Sequence, residues 1–405
     1  MADWIDNALY HPTYGYFSRN VVIFQAKRPI PFNDLLDNTA VLNHVEVLYE
    51  EHDAAMDAAG RDQQTWHTPV EMFHPYYGQA LARYFLERHA AAATAPGAGH
   101  GPLVVYEAGA GNGTLMADVL DYVAATAPAV YATMEYHVIE ISGQLRDKQR
   151  ARAAAKGHTA RVAIHASSVL DMHGPPEHRP CFVVGCEIID NLAHDLVVYD
   201  AQTLEPYQGV VLVDEDNNFE EAYEPLASPD LVELLEQRAA LGFPNGAQRR
   251  SWWDRVRAKL PLAPNVVGRE YLPTRLWQLL KVLHRQFPQH RIVLTDFDQL
   301  PGAVPGHLGP VVQTRHNGEM VPCQTPLVLP GWFDIFFPTD FTLMQALYHA
   351  ARPSHMQEVA RDAPPTRIVT QTDFLRKYGD LKATQTSSGE NPLTAFYQNV
   401  RLLLS

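Results

Sequence analysis

The sequence predicts an α/β fold, a Rossmann-like, doubly wound parallel sheet with an aromatic-rich N-terminal extension and a helical insertion. Short apolar runs alternate with helical patterns after residue 102, and such alternation is typical of parallel strands joined by helical crossovers. A glycine-rich turn separates the first of these strands from the helix that follows it. Acidic residues follow the second and fourth strands, at the edge where a doubly wound sheet binds its ligands.

The predicted strands are short and apolar because a parallel sheet is covered on both faces. They fall at 103–106, 136–139, 161–165, 181–185, 291–296, 311–314, 325–328 and 334–337. Helical periodicity predicts helices at 79–93, 114–125, 142–156, 230–241, 251–260 and 271–287, and a helix-rich piece after 341. Ser142 is the expected N-cap of the 142–156 helix.

The length of 405 residues allows one large core with additions or two to three domains. The pattern divides the chain into four segments. Residues 1–95 are expected to form a helical segment that covers the substrate, and residues 96–204 the first part of the cofactor-binding sheet. Residues 205–287 are expected to form a helical insertion, and residues 288–405 the rest of the sheet with terminal helices. A Gly- and Pro-rich linker, residues 94–102, marks the first boundary.

The composition disfavours several classes of partner. A formal charge of -14 repels a phosphate backbone, so nucleic acid is not an expected partner. The three cysteines form no C-x-x-C pair, which favours a reducing compartment. No apolar run approaches the roughly 20 residues of a membrane span, and the first residues resemble neither a signal peptide nor a transit peptide. The histidines near residues 165–181 match no standard metal spacing, so no metal site is predicted.

The first candidate site is the turn E-A-G-A-G-N-G at residues 107–113, between a strand and a helix. Glycine permits positive φ and a close approach of the backbone to a ligand, and the start of a helix offers free backbone N–H groups. Gly109, Gly111 and Gly113 are therefore expected to bind a nucleotide-like cofactor at the carboxyl edge of the sheet. The alternative is a tight turn that binds nothing.

The spacing of the glycines discriminates between cofactors. The dinucleotide pattern is G-x-G-x-x-G, whereas Gly113 comes one position early, so an NAD-dependent oxidoreductase is disfavoured. Glu107 suits a cationic amino group better than a pyrophosphate, and S-adenosylmethionine carries such a group and no phosphate. Glu140, after the second strand, can accept bonds from both ribose hydroxyls, although NAD enzymes share that role. Ser168, after the third strand, is a further expected cofactor-binding residue.

The second candidate site follows the fourth strand, where Glu187, Asp190 and His194 are the expected catalytic residues. Side chains at this edge can meet the acceptor of a methyl group. If the acceptor were an arginine guanidinium, which is always charged and a poor nucleophile, Glu187 could hold it in a bidentate pair. Asp190 or His194 could then take the proton. The alternative is that Asp190 begins a turn and caps a helix, and that His194 is a surface residue.

Five stretches carry a resemblance. They are A-L-Y-H-P-T-Y-G-Y-F at 8–17, E-A-G-A-G-N-G-T-L-M at 107–116, the E-I-S, L-R and Q of 140–149, C-E-I-I-D-N-L at 186–192 and T-Q-T-D-F-L at 370–375. Together they resemble the MidA-like family, the mitochondrial complex I assembly methyltransferases. The resemblance implies a class I methyltransferase fold, S-adenosyl-L-methionine as cofactor, and symmetric dimethylation of an arginine of a complex I subunit in the mitochondrial matrix. It also implies that Glu187 and Asp190 line the acceptor site.

The sequence departs from the family pattern at four places. Cys186 stands where the family has Asn, and Ala193 where it usually has Pro. The family's G-D-F-I-T-S-P-E stretch is reduced to H-T-P-V-E at 67–71, and its D-Y-G is D-F-D at 296–298. These departures leave two alternatives open, a non-catalytic assembly protein that keeps the fold and a methyltransferase for another acceptor. The oligomeric state is open as well, and without the resemblance the expected compartment is the cytoplasm.

Overall fold

The computed structural model describes residues 1–19, 21–24, 28–58, 64–66, 68–93, 101–249, 265–303, 308–316, 319–353 and 365–405. The chain divides into two compact units. The core unit comprises Val21–Ile188, Arg285–Asp296 and Pro364–Ser405, and the accessory unit comprises Met1–Asn20, Ile189–His284 and Phe297–Ala363. This division differs from the four consecutive segments expected from the sequence, because each unit is built from three separate stretches of chain.

The helices of the described residues are α1 (Ala2–Tyr10), α2 (Tyr16–Arg19), α3 (Asn38–Ala58), α4 (Pro69–Met72), α5 (Tyr76–Ala93), α6 (Thr114–Thr126), α7 (Pro128–Tyr131), α8 (Gly143–Ala155), α9 (Pro229–Ala240), α10 (Thr274–Gln286), α11 (Phe341–Ala350), α12 (Gln371–Tyr378) and α13 (Pro392–Ala395). The strands are β1 (Val21–Ile23), β2 (Gln64–Trp66), β3 (Val104–Ala108), β4 (Glu135–Ile139), β5 (Val162–His165), β6 (Cys181–Cys186), β7 (Asp195–Asp200), β8 (Pro206–Val213), β9 (Phe219–Pro225), β10 (Val266–Leu272), β11 (His290–Phe297), β12 (Val311–His316), β13 (Glu319–Cys323), β14 (Asp334–Phe336), β15 (Arg367–Thr370) and β16 (Val400–Leu404).

The core unit is organised around one sheet with the strand order β15-β16-β11-β6-β3-β4-β5. The pairs β11–β6, β6–β3, β3–β4 and β4–β5 are parallel, and β15–β16 is antiparallel. The strand order reverses between β3 and β6, which is where a doubly wound sheet opens its ligand crevice. The predicted doubly wound sheet is therefore confirmed, and both candidate sites follow the two strands at this reversal.

Two closely packed helices, α5 and α6, support the glycine turn that follows β3. β3 is buried along its whole length, and residues of α5 and α6 belong to the hydrophobic core that covers it. A Cβ placed on Gly78 of α5 would lie 2.4 Å from the Cβ of Asp118 on α6, so only glycine permits this approach. Asp118 also pairs with His74, just before α5, at 2.7 Å. The start of α6 is thus fixed in the core.

The accessory unit contains more strand than the sequence predicts. Its β7, β8, β9 and β10 form an antiparallel sheet in the order β10-β7-β8-β9, and β12 pairs with β13 and β14 in a second sheet. The helical insertion predicted at 205–287 contains α9 and α10, but β8, β9 and β10 also lie within it. The buried Arg238 of α9 pairs with Glu270 of β10 at 2.9 Å and ties helix to sheet.

Other predictions differ locally. Residues 325–328 form no strand; the strand in this region is β13, which pairs with β12. The predicted helix at 251–260 and most of the predicted linker lie outside the described residues. No helix in the part of the chain that the structure describes is long and apolar enough to cross a membrane.

Candidate functional site

The glycine turn has the left-handed backbone that its sequence predicts. The φ angles of Gly109, Gly111 and Gly113 are 66°, 51° and 74°, a region that costs an L side chain about 1–2 kcal/mol. A Cβ on Gly109 would lie 2.8 Å from Cγ2 of Ile188, and one on Gly111 would lie 2.8 Å from Cδ1 of Ile23. The left-handed backbone therefore favours glycine at all three positions, and an added Cβ at Gly109 or Gly111 would also require an isoleucine side chain to shift.

Glu107 stabilises the turn from inside the core unit. The side chain is buried, and its Oε2 accepts a hydrogen bond of 2.8 Å from the hydroxyl of Tyr136. Burial raises the pKa of the Glu107 carboxyl to about 8, and the nearby carboxylates of Glu140 and Asp118 raise it as well, against the lowering effect of the Tyr136 bond. Glu107 thus links the end of β3 to β4 and tends to keep its proton at neutral pH. This structural role does not depend on the predicted bond between Glu107 and the amino group of a cofactor.

Glu140 lies directly after β4 and is buried. Its Oε1 accepts from the backbone N–H of Ser142 at 2.9 Å, and its Oε2 accepts from Nε2 of Gln149 at 3.3 Å. The same Nε2 donates to the carbonyl of Gly111 at 2.9 Å. Among the residues that the structure describes, none hydrogen-bonds the buried Oε1 of Gln149. Since a buried acceptor without a donor is costly, the site between Glu140 and Gly111 suits a ligand that brings hydroxyl groups, as a ribose does.

Ser168 lies after β5, at the same carboxyl edge of the sheet. Its hydroxyl accepts from the N–H of Leu170 at 3.1 Å, and its carbonyl accepts from the N–H of Asp171 at 3.2 Å. The side chain therefore shapes its own turn, and a bond to a cofactor would use its remaining lone pair or its proton. Its predicted role stays a prediction.

Glu187 follows β6 with a φ of 54°, an uncommon conformation for a residue other than glycine. Its N–H donates to the carbonyl of Thr295 on β11 at 2.9 Å, so the neighbouring strand holds the conformation. Burial raises the pKa of the Glu187 carboxyl well above its usual range, and the carboxylates of Asp296 and Glu71 raise it further. Backbone strain held at the end of a central strand is typical of functional sites.

Glu71 belongs to α4 and is also buried. Its Oε1 accepts two hydrogen bonds, from Nδ2 of Asn112 at 3.0 Å and from Oγ1 of Thr114 at 2.8 Å. Burial raises the pKa of the Glu71 carboxyl, against these two bonds and the charges of Arg152 and His74. Glu71 thus joins the glycine turn to the carboxylate cluster, which we define as Glu71, Glu187 and Asp296.

Two tyrosines and a cysteine lie near this carboxylate cluster. Burial raises the pKa of the buried Tyr77 hydroxyl, which hydrogen-bonds the side chain of Thr295. Burial and Glu187 raise the pKa of Tyr397, whose backbone is left-handed at a φ of 53°. Burial raises the pKa of the Cys186 thiol, and nearby carboxylates raise it further, so Cys186 is a neutral thiol at physiological pH. The described groups near Glu187 therefore include neutral side chains and other carboxylates.

Asp190 and His194 belong to the accessory unit, whereas Glu187 belongs to the core unit. The Asp190 carbonyl accepts from the N–H of Phe337 at 2.8 Å, and the His194 ring stacks on Phe337 with 3.8 Å between centroids. Nδ1 of His194 bonds the carbonyl of Leu192 at 2.8 Å and is therefore the protonated nitrogen. Burial lowers the pKa of His194 to about 4, so the ring is neutral at physiological pH. His194 is buried, not a surface residue as its alternative reading held.

Four residues of this region were not among those predicted as site residues: Glu71, Asp296, Tyr77 and Tyr397. The available signal was motif position, since Glu71 ends the reduced H-T-P-V-E stretch and Asp296 begins D-F-D. Within the residues that the structure describes, no group of His, Cys, Asp and Glu side chains could hold a metal ion.

Comparisons with known proteins agree with this geometry. The family model described as "Putative S-adenosyl-L-methionine-dependent methyltransferase" matches residues 80–359. A candidate methyl transferase from Burkholderia thailandensis, bound to S-adenosyl-homocysteine, has a TM-score of 0.57 and 18% identity, over 100% of this chain and 86% of that chain. An uncharacterized protein of the same superfamily and organism has a TM-score of 0.56 and 18% identity, again over 100% and 86%. No curated protein matches the sequence. At this identity the two structures show the fold, which is that of class I methyltransferases.

Proposed function

Since this chain belongs to the family of S-adenosyl-L-methionine-dependent methyltransferases that matches residues 80–359, we propose that it methylates an arginine guanidinium of a protein. Its cofactor is S-adenosyl-L-methionine. The motif resemblance to the MidA-like family agrees with the family match and with the fold. The acceptor class, the protein substrate and the compartment are the parts that we propose.

The residues around the glycine turn fit the cofactor. Gly109 and Gly111 give the backbone the close approach that it needs, and Glu140 with Gln149 provides acceptors for ribose hydroxyls. When bound, the cofactor supplies a methyl group on a positively charged sulfur. Displacement at such a methyl group depends mainly on alignment and on exclusion of water.

The observation that carries the arginine proposal is the carboxylate cluster of Glu71, Glu187 and Asp296. Burial raises the pKa of Glu187, and the two neighbouring carboxylates raise it further. Burial makes the charged form of such carboxyls costly, and a cation bound beside them would stabilise that charged form. A guanidinium is a planar cation with five N–H donors, which matches this need better than a hydroxyl or a thiol does.

The cluster would do three things for a bound guanidinium. Glu187 would accept two of its N–H donors and orient the third nitrogen. The buried Tyr77 and the aromatic ring of Tyr397 would limit water around the reacting nitrogen. The proton released on methylation would pass to a carboxylate of the cluster, since the raised pKa of Glu187 makes it a stronger base than an exposed carboxylate.

Asp190 and His194 have less support as proton acceptors. The pKa of His194 is lowered to about 4, which makes it a weak base, and its ring is held by Phe337 and Leu192. We therefore assign His194 to packing within the accessory unit. For Asp190 the support for a functional role is the resemblance alone.

We further propose that the reaction is symmetric dimethylation, that the substrate is a subunit of respiratory complex I, and that the enzyme acts in the mitochondrial matrix. The support for these three statements is the resemblance of five motifs in the same order along the chain. The direct test is methyl transfer from radiolabelled cofactor to arginine peptides of complex I subunits, followed by mass spectrometry of the product.

The matched controls are peptides with Lys in place of Arg and the Glu187→Gln variant. We expect label on the arginine peptides alone, and loss of transfer in Glu187→Gln with the affinity for S-adenosyl-homocysteine unchanged. Label on lysine peptides or on small molecules would instead favour a methyltransferase for another acceptor. Full rescue of a complex I defect by Glu187→Gln would favour a non-catalytic assembly role.

A further inference from the structure

We infer that Glu71 is a positioning residue that couples the cofactor turn to the acceptor site, so that cofactor binding strengthens binding of the cationic acceptor. The inference rests on the proposed function, because it takes the carboxylate cluster to be the acceptor site. It adds a residue that was not among the predicted site residues and a coupling between two ligands that the proposed function does not require.

The backbone of Glu71 is fixed locally. α4 begins with Pro69 after the cap residue Thr68, whose hydroxyl accepts the N–H of Glu71 at 3.1 Å. Capping and a proline at the first helical position both stabilise a short helix. The Glu71 side chain therefore leaves a constrained turn, and its orientation depends on what its carboxylate oxygens contact.

The contacts of Oε1 come from the cofactor turn. Asn112 lies between Gly111 and Gly113, and Thr114 is the first residue of α6; both donate to Oε1 of Glu71, at 3.0 Å and 2.8 Å. Arg152 of α8 donates in turn to Oγ1 of Thr114. Any shift of the turn moves both donors together, so the position of the Glu71 carboxylate follows the conformation of the turn.

The acceptor side adjoins the same turn, because a Cβ on Gly109 would lie 2.8 Å from Cγ2 of Ile188, the residue after Glu187. Beside burial and Asp296, the charge of Glu71 also acts on Glu187 and raises its pKa. Arg152 opposes the charge of Glu71 from the cofactor side. A ligand that orders the turn therefore also fixes the position of a carboxylate that a guanidinium would meet. By linkage, the guanidinium must then strengthen cofactor binding by the same factor.

The test is a binding cycle that needs no turnover. The affinity of agmatine, a small guanidine, is measured by calorimetry with and without saturating S-adenosyl-homocysteine. For the natural sequence we expect S-adenosyl-homocysteine to raise the affinity for agmatine about fivefold or more. Thr114→Val keeps the shape of the side chain and removes the donor to Glu71. In this variant the ratio of agmatine affinities with and without S-adenosyl-homocysteine should fall to about one, while agmatine still binds in the absence of S-adenosyl-homocysteine.

Thr114→Ser is the matched control, since it retains the hydroxyl and should restore the ratio. Asn112→Leu, which removes the other donor, should lower the ratio independently and covers the case in which Thr114→Val does not fold. A ratio that stays unchanged in both variants, or a ratio of one in the natural sequence, overturns the coupling. Absence of agmatine binding to the natural sequence under either condition would overturn the proposed acceptor class instead.

Discussion

The N–H of Glu187 donates to the carbonyl of Thr295 across 2.9 Å, and this bond places Glu187 beside Asp296, the next residue on β11. The pairing of β6 with β11 thus brings together two carboxylates that are far apart in sequence. Burial and the neighbouring charge of Asp296 then raise the pKa of Glu187. The chemistry of the candidate acceptor site is therefore a direct consequence of strand order.

Binding of a guanidine should depend on pH with a definite sign. A carboxyl with a raised pKa keeps its proton to higher pH, and its protonated form cannot pair with a guanidinium. We expect the affinity for agmatine to increase as pH rises through the raised pKa of Glu187. Calorimetric titrations at a series of pH values above the ordinary range of a carboxyl measure the effect. In Glu187→Gln the rise should shrink, and an affinity of the natural sequence that falls with rising pH would contradict the expectation.

Gly111→Ala should weaken cofactor binding. The backbone of Gly111 is left-handed, and a Cβ there would lie 2.8 Å from Cδ1 of Ile23. The backbone strain alone costs about 1–2 kcal/mol, which corresponds to about a five- to thirtyfold loss of affinity for S-adenosyl-homocysteine. Gly101→Ala is the matched control, because a Cβ at Gly101 meets nothing within 4 Å. Equal affinities of the two variants would show that the turn does not approach the cofactor.

Glu107→Gln should change how stability depends on pH. The pKa of Glu107 is raised to about 8 in the folded state from an ordinary value of 4.5. The folded state then holds the proton more tightly, so the contribution of Glu107 is fully present below the unfolded pKa and is lost as pH rises through about 8. The variant should therefore gain free energy of unfolding relative to the natural sequence between about pH 5 and 9, measured by urea denaturation.

Glu135→Gln is a control of opposite sign for this measurement. Arg179 lowers the pKa of Glu135, so its contribution is lost only as pH falls through the folded pKa. The difference in free energy of unfolding between Glu135→Gln and the natural sequence should therefore be constant between about pH 5 and 9. If the free energy of unfolding depended on pH in the same way for Glu107→Gln and for the natural sequence, Glu107 would be ionised in the folded protein.

His194→Gln distinguishes packing from proton transfer. The pKa of His194 is lowered to about 4, so its contribution to stability is present above the unfolded pKa and is lost as pH falls toward 4. We expect the variant to lose about 1–3 kcal/mol at neutral pH through the lost ring stacking and backbone bond. Methyl transfer should stay within about threefold of the natural rate.

The exposed His178 supplies the control for this prediction, since His178→Gln should change neither stability nor rate. A loss of turnover in His194→Gln that exceeds about a hundredfold, with the protein still folded, would restore His194 as a catalytic residue.

The core sheet could be predicted because its strands are short, buried and separated by helices. Predicted strands such as 103–106 and 181–185 match β3 and β6 to within two residues. The strands of the accessory unit were harder to predict. β9 reads F-E-E-A-Y-E-P and is mostly exposed, so it lacks the apolar alternation that identifies a strand.

The candidate site could be predicted only where its residues follow a predicted strand or turn. Glu187 directly follows β6, and the glycines directly follow β3, so local pattern was enough. Glu71 belongs to the site through bonds to Asn112 and Thr114, about forty residues away, and no local pattern encodes such a contact. Its surroundings follow from tertiary packing alone.

The division of the core unit into three stretches of chain has a consequence for biosynthesis. β6 pairs with β11 from Cys181 to Cys186, but the chain passes through the accessory stretch Ile189–His284 before β11 is made. During translation, one edge of β6 therefore stays unpaired until about a hundred further residues have been made, and pairings between strands so far apart in sequence form slowly. A nascent chain of this length would expose an apolar strand edge, and an exposed edge of this kind pairs readily with other chains.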